Sequence, residues 1–124
     1  MKVNTFGWVE IPVSDMERAI AFYEKVMDVK LQPMDFGGLK MAWFPNNGQV
    51  YGATGTLIQQ ESYIPSKEGP LVYFTSEDVQ QELDRIEAAG GSIYQPKTQI
   101  SEEHGYMAVF IDSEGNRVAL HSDR

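Results

Sequence analysis

Trp8-Val9-Glu10-Ile11-Pro12-Val13-Ser14-Asp15 decides the fold, because the chain contains its pattern twice. Sixty-three residues on, Leu71-Val72-Tyr73-Phe74-Thr75-Ser76-Glu77-Asp78 again runs an apolar strand into an acidic helix start. The ends correspond too. Met41-Ala42-Trp43-Phe44 precedes a turn at Asn46-Asn47-Gly48, and Met107-Ala108-Val109-Phe110 precedes a turn over residues 112–116. A duplicated strand–helix–strands unit builds a cleft between its copies, and each inward position of that cleft is then open to inspection.

Outward from the first copy, Val9, Ile11 and Val13 alternate onto one face of a half-buried strand, with Trp8, Glu10 and Pro12 on the other. Ser14 and Glu17 have capping-box spacing, and Asp15 is a competing cap. Met16, Ala19, Ile20, Tyr23, Val26 and Met27 recur at three- and four-residue steps, which predicts an amphipathic helix lying on a sheet. Strands are expected near 29–34, 39–44 and 50–58, with hairpin turns at Gly37-Gly38 and Asn46-Asn47-Gly48. Residues 59–70 are polar and carry two prolines and a glycine, the character of a linker.

The second copy keeps this order. A strand at 71–75 leads to a helix capped by Asp78, with Val79, Leu83, Ile86 and Ala89 as its buried stripe. Gly90-Gly91 ends it by supplying a left-handed cap. Strands follow near 92–95, 105–111 and 116–121. The string βαβββ, twice, with helices on one face of largely antiparallel strands, is an α+β fold.

The 124 residues form one domain, made of modules 1–60 and 70–124. Each module alone is marginal in size, so the two share a core or pair across subunits. The net charge of −8 excludes nucleic acid as a partner, since nothing would neutralise a run of phosphates. It leans toward a cationic small ligand, although solubility is the plainer reading. The absence of cysteine excludes disulfides and thiolate metal sites and fits a reducing compartment. No apolar run has the length of a signal peptide or a membrane span, so a cytoplasmic protein without a membrane partner is expected.

Val13, Asp15, Ala19, Phe22 and Tyr23, in the pattern Val-x-Asp-x-x-x-Ala-x-x-Phe-Tyr, resemble the first helix of the vicinal oxygen chelate superfamily. That group contains glyoxalase I, bleomycin-resistance proteins and extradiol dioxygenases. Ala88-Ala89-Gly90-Gly91 resembles the Gly-Gly after the family's second helix. Asp112-Ser113-Glu114-Gly115-Asn116 resembles its Asp-Pro-x-Gly-Asn hairpin, with Ser113 where proline is usual. Phe6, Trp8 and Glu10 resemble the branch related to lactoylglutathione lyase. The resemblance implies two βαβββ modules forming an open, U-shaped mixed sheet around a cleft, and it implies a homodimer. In the family's enzymes a divalent metal sits in that cleft on His, Glu or Gln side chains, with positions open to substrate oxygens.

The family's ligand positions fall here on Trp8, Leu71, Ala119 and, by the internal repeat, a place near Gly52. None carries a metal-binding side chain, and a catalytic metal needs about three protein ligands. The expectation is therefore no metal and no cofactor, a site from His121 and Glu10 being the alternative.

Alternation extends the inward set to Glu10, Thr54, Tyr73, Arg117 and His121. Trp8, Thr54, Tyr73 and Arg117 are candidate ligand-binding residues, their rings suited to a planar or cationic molecule. Glu10 and His121 are candidate catalytic residues, a carboxylate orienting an imidazole for acid–base work. Against this, Glu10 would pair with Arg117 in a structural ion pair and His121 would fray near the C-terminus.

Two functions remain open from sequence. One is a metal-independent protein that binds or sequesters a small organic molecule in the inter-module cleft. The other is an enzyme of lyase, isomerase or dioxygenase type, using Glu10 and His121 or a relocated metal site.

Overall fold

The computed structural model describes residues 4–50 and 52–124. Strand β1 (Trp8–Pro12) buries Ile11 and, just past its end, Val13, while Trp8 and Glu10 stay exposed on the opposite face. Helix α1 (Met16–Met27) follows at once. Asp15 is its N-cap, its carboxylate accepting from the Arg18 N–H at 3.1 Å. Ser14 is not the cap; its N–H donates to Glu114 in the other module at 2.8 Å. The helix buries Met16, Ala19, Phe22, Tyr23 and Val26. Ile20 and Met27 sit at the edge of that stripe, partly buried. Phe22 was not among the expected positions, yet it is wholly inside, because a second module covers the flank that one sheet would leave open.

Strands β2 (Gln32–Phe36), β3 (Leu39–Trp43) and β4 (Thr54–Gln59) complete the first sheet in the order β1-β4-β3-β2, with β1 parallel to β4 and the rest antiparallel. The turn at Gly37-Gly38 is present, both glycines at positive φ. The hairpin expected at Asn46-Asn47-Gly48 is not tight: β3 ends at Trp43 and β4 starts at Thr54, so a longer connection joins them. Gly55 is fixed by β1 itself. A Cβ there would lie 2.1 Å from the Val9 carbonyl oxygen, so no side chain fits between the parallel strands.

The second module repeats the plan with β5 (Tyr73–Thr75), α2 (Val79–Ala89), β6 (Ser92–Ser101), β7 (Gly105–Ile111) and β8 (Arg117–Ser122), in the order β5-β8-β7-β6. Asp78 caps α2 and accepts from the Gln80 N–H, and Gly90 ends the helix at φ 110°. Strand β6 runs to Ser101, well beyond the expected 95. It runs through Pro96, because β6 is an edge strand with three register irregularities, where a missing donor is tolerated.

The strands thus form two four-stranded mixed sheets, one per module. Their registers match: Glu10 pairs with Thr56 in the first as Tyr73 pairs with Ala119 in the second. The repeat mate of Ala119 is therefore Thr56. The placement near Gly52 is corrected, because Gly52 lies in the β3–β4 connection and not on β4.

A shared core joins the modules. The Tyr23 ring meets Phe44 and Phe74, each at 5.7 Å between centroids, and Phe22 meets Phe110 at 6.0 Å. Each fully buried aromatic of this kind stabilises the fold by about 1.5–3 kcal/mol. The Asp112–Asn116 turn of module two closes over α1. The buried Tyr23 hydroxyl donates to Asp112 at 2.6 Å, and Asn116 donates to the Pro12 carbonyl at 2.8 Å. Burial, and then the negative charge of Asp112, push the Tyr23 phenol well above its usual range, so it remains a donor.

Candidate functional site

The face of the first sheet away from α1 is set by β alternation and register. Glu10 on β1, Thr56 on β4, Trp43 on β3 and Gln32 on β2 form one row across it. Trp8 stands two residues from Glu10 and meets Trp43 edge to face, centroids 5.7 Å apart at 79°. On the far side of Trp43 lies Phe36, 6.3 Å away and tilted by 32°. Trp8 is 42% exposed and Phe36 52% exposed, so these rings face solvent across an open corner. The Trp43 indole N–H is buried with no acceptor among the described residues. Glu10 makes no hydrogen bond or ion pair with a described residue. The wall between them is closed: the Thr56 hydroxyl is buried within reach of the Ala42 and Leu57 carbonyls, at 3.0 and 2.7 Å.

A cavity of about 420 Å³ lies between the modules. Its walls come from β1, β4, the β3–β4 connection and β5, and are mostly apolar, with Thr54, Thr56, Tyr73 and Thr75 as polar points. Thr54 and Tyr73 are therefore brought together. The Thr54 hydroxyl donates to the Pro45 carbonyl at 2.8 Å, which leaves its lone pairs for a guest. Tyr73 is half-exposed at the cavity wall.

The other sequence candidates are placed apart from this cavity. Arg117 reaches the Gly69 carbonyl at 2.9 Å, and its Nε is buried without an acceptor among the described residues. His121 has Nε2 at 2.6 Å from the His104 carbonyl. A carbonyl only accepts, so Nε2 carries the proton and Nδ1 is the nitrogen left free. Among the described residues no ion pair joins Glu10 to His121 or to Arg117. His104 itself turns its Nδ1 onto Ser101 at 2.9 Å. Tyr63 borders a separate hollow with Val13, Ser14 and Ile64.

Sequence reasoning left Trp43 without a face and did not single out Phe36. Both were legible from the β2–β3 turn: once Gly37-Gly38 is the turn, Phe36 pairs with Leu39 and the parity of Trp43 follows.

The positions matching the family's metal ligands now hold Trp8, Leu71, Ala119 and Thr56. The first three have no side-chain atom that coordinates a metal ion, and the Thr56 hydroxyl is engaged by the Ala42 and Leu57 carbonyls. Among the described residues no group of three or more His, Cys, Asp or Glu is gathered as a metal would need. The donor set does not fit a divalent cation at that place. Among the described residues no helix is long and apolar enough to cross a membrane.

Comparison with known proteins places the chain. A glyoxylase-like domain-containing protein from Didymella fabae is 28% identical over 115 residues, covering 90% of this chain and 88% of its own. Glyoxalase I from Zea mays superposes with a TM-score of 0.69 at 22% identity, over 94% of this chain but only 45% of the maize chain. The present chain thus spans less than half the length of that enzyme. TnmS3, an antibiotic binding protein from Streptomyces sp. CB03234, superposes with a TM-score of 0.66 at 22% identity, over 98% of both chains. The family model for the Glyoxalase/Bleomycin resistance protein/Dioxygenase superfamily matches residues 5–120. With its two βαβββ modules, the chain belongs to that superfamily.

Proposed function

We propose that the protein binds a small organic molecule in the cleft between its modules, without a metal. The observation that carries this reading is the mostly apolar inter-module cavity with Thr54 and Tyr73 at its wall, in a fold whose metal positions hold Trp8, Leu71 and Ala119. A concave, largely apolar space with a few polar points is the usual form of a small-molecule site. The fold shared with an antibiotic binding protein supports the same class of function.

The enzymatic reading of Glu10 and His121 draws no support from their geometry, because Nε2 of His121 is engaged by the His104 carbonyl.

A thermal-shift screen of planar, cationic and neutral organic molecules, with and without EDTA, tests the proposal. The expected result is a set of hits that is unchanged by EDTA and weakened by Thr54→Val or Tyr73→Leu. Hits that vanish with EDTA, or turnover of the methylglyoxal–glutathione adduct only when nickel or zinc is added, would overturn it.

A further inference from the structure

The geometry points to a recognition site for a small organic ammonium ion on the first sheet, at the corner formed by Trp8 and Trp43 and bordered by Glu10. It goes beyond the small-molecule reading above, since Trp8, Trp43 and Glu10 do not line the inter-module cavity, and it names the chemical class of the ligand.

Two observations converge there. Trp8 and Trp43 stand nearly perpendicular, 5.7 Å apart, and Phe36 extends the wall beyond Trp43. Perpendicular indole faces around an open corner offer a cation two negative ring surfaces at once, which is how aromatic cages hold quaternary ammonium groups. Glu10 shares the face with Trp8 and has no partner among the described residues. Strand alternation puts Trp8, Thr56, Trp43, Gln32 and Phe36 on this surface with Glu10, and Glu10 is the only charged residue that the four strands place there. Lys40 of β3 falls on the other face and does not neutralise it. A ligand bearing an ammonium head would meet both the ring faces and the carboxylate. A neutral or anionic molecule would leave the Glu10 carboxylate without an opposite charge.

The chain's net charge of −8 acts in the same direction, raising the local concentration of cations near the face.

Choline and its uncharged carbon isostere 3,3-dimethyl-1-butanol separate charge from shape. Trp8 and Trp43 are the chain's two tryptophans, so intrinsic emission reports the site directly. Choline is expected to bind about tenfold more tightly than the isostere, from the cation–π and ion-pair contributions together. Glu10→Gln is expected to weaken choline about fivefold and leave the isostere unchanged. Trp8→Leu removes the corner and is expected to abolish the preference; circular dichroism confirms that each variant is folded.

Equal affinity for choline and the isostere, or an unchanged ratio in Glu10→Gln, would overturn the ammonium assignment and leave the small-molecule reading standing. Failure of both probes to alter the emission would also overturn it. So would an emission that shifts on dilution and ignores choline, since a second copy of the chain would then cover the face.

Discussion

Arg18 and Glu114, in different modules, form a fork in which Nε and Nη2 of the guanidinium reach the two carboxylate oxygens at 2.7 and 3.0 Å. The same carboxylate accepts the N–H groups of Ser14 and Asp15, each at 2.8 Å, and the Ser113 hydroxyl at 3.0 Å. An acidic side chain from module two thus sits on the exposed N-terminus of α1, where four backbone donors lack intrahelical partners and the helix dipole favours negative charge. Burial works against its ionisation. The Arg18 hydrogen bond, the two backbone donors and Ser113 outweigh that and hold the Glu114 carboxyl at about 2. The two halves are fastened through this point as well as through their aromatic core.

Glu114→Gln should loosen the fastening, at a cost of roughly 2–3 kcal/mol at neutral pH, as expected for removing a depressed carboxylate and its charge-assisted bonds. The sign with pH is fixed by the depression. The contribution is complete above the unfolded carboxylate value near 4.5 and is lost as pH falls toward 2. Urea midpoints of wild type and variant should therefore differ at pH 7 and converge between pH 4.5 and pH 2.

Tyr23→Phe keeps the ring and removes one buried hydrogen bond. Asp112 would lose its phenol donor while remaining inside, with Asn116 still donating to it at 3.0 Å. A loss of about 1–3 kcal/mol is expected. Chemical denaturation measures it, and the far-ultraviolet circular dichroism of the native state should keep the wild-type shape.

Gly55→Ala should be among the most damaging small changes in the chain. The added Cβ meets the Val9 carbonyl, backbone that cannot step aside without breaking the β1–β4 pairing. Overpacking costs of about 1–3 kcal/mol are usual, and this site should reach or exceed the upper end. A shift in the thermal midpoint reads it, with Gly7→Ala, where a Cβ meets nothing within 4 Å, as the mild control.

Trp8→Ala should separate binding from folding. Trp8 is half-exposed and packs on Trp43 at one edge, so its removal should cost at most about 2 kcal/mol. Its effect on ligand titrations should be much larger than its effect on the thermal midpoint.

The duplicated architecture was legible because each element is locally consistent. Asp15 and Asp78 cap their helices, Gly90 ends the second, and the apolar steps match the helical period. The candidate site was less so. Alternation put Trp8, Glu10 and Thr54 on one face, but nothing in the strands of one module states where the other lies. The places of Arg117 against Gly69 and of His121 against His104 depend on turns whose geometry the sequence does not encode by period. The role of the Asp112–Asn116 turn was hidden for the same reason. Its motif was visible, while its partners Arg18, Tyr23 and Pro12 are about a hundred residues away along the chain.

The central claim is the proposal that the protein binds its small-molecule ligand without a metal ion. The most direct measurement is equilibrium dialysis of the purified protein against nickel, zinc and ferrous iron, with metal content determined by mass spectrometry. The account predicts no saturable uptake and ligand titrations that EDTA leaves unchanged. One tightly held ion per chain, lost together with ligand binding in Glu10→Gln or His121→Ala, would contradict it.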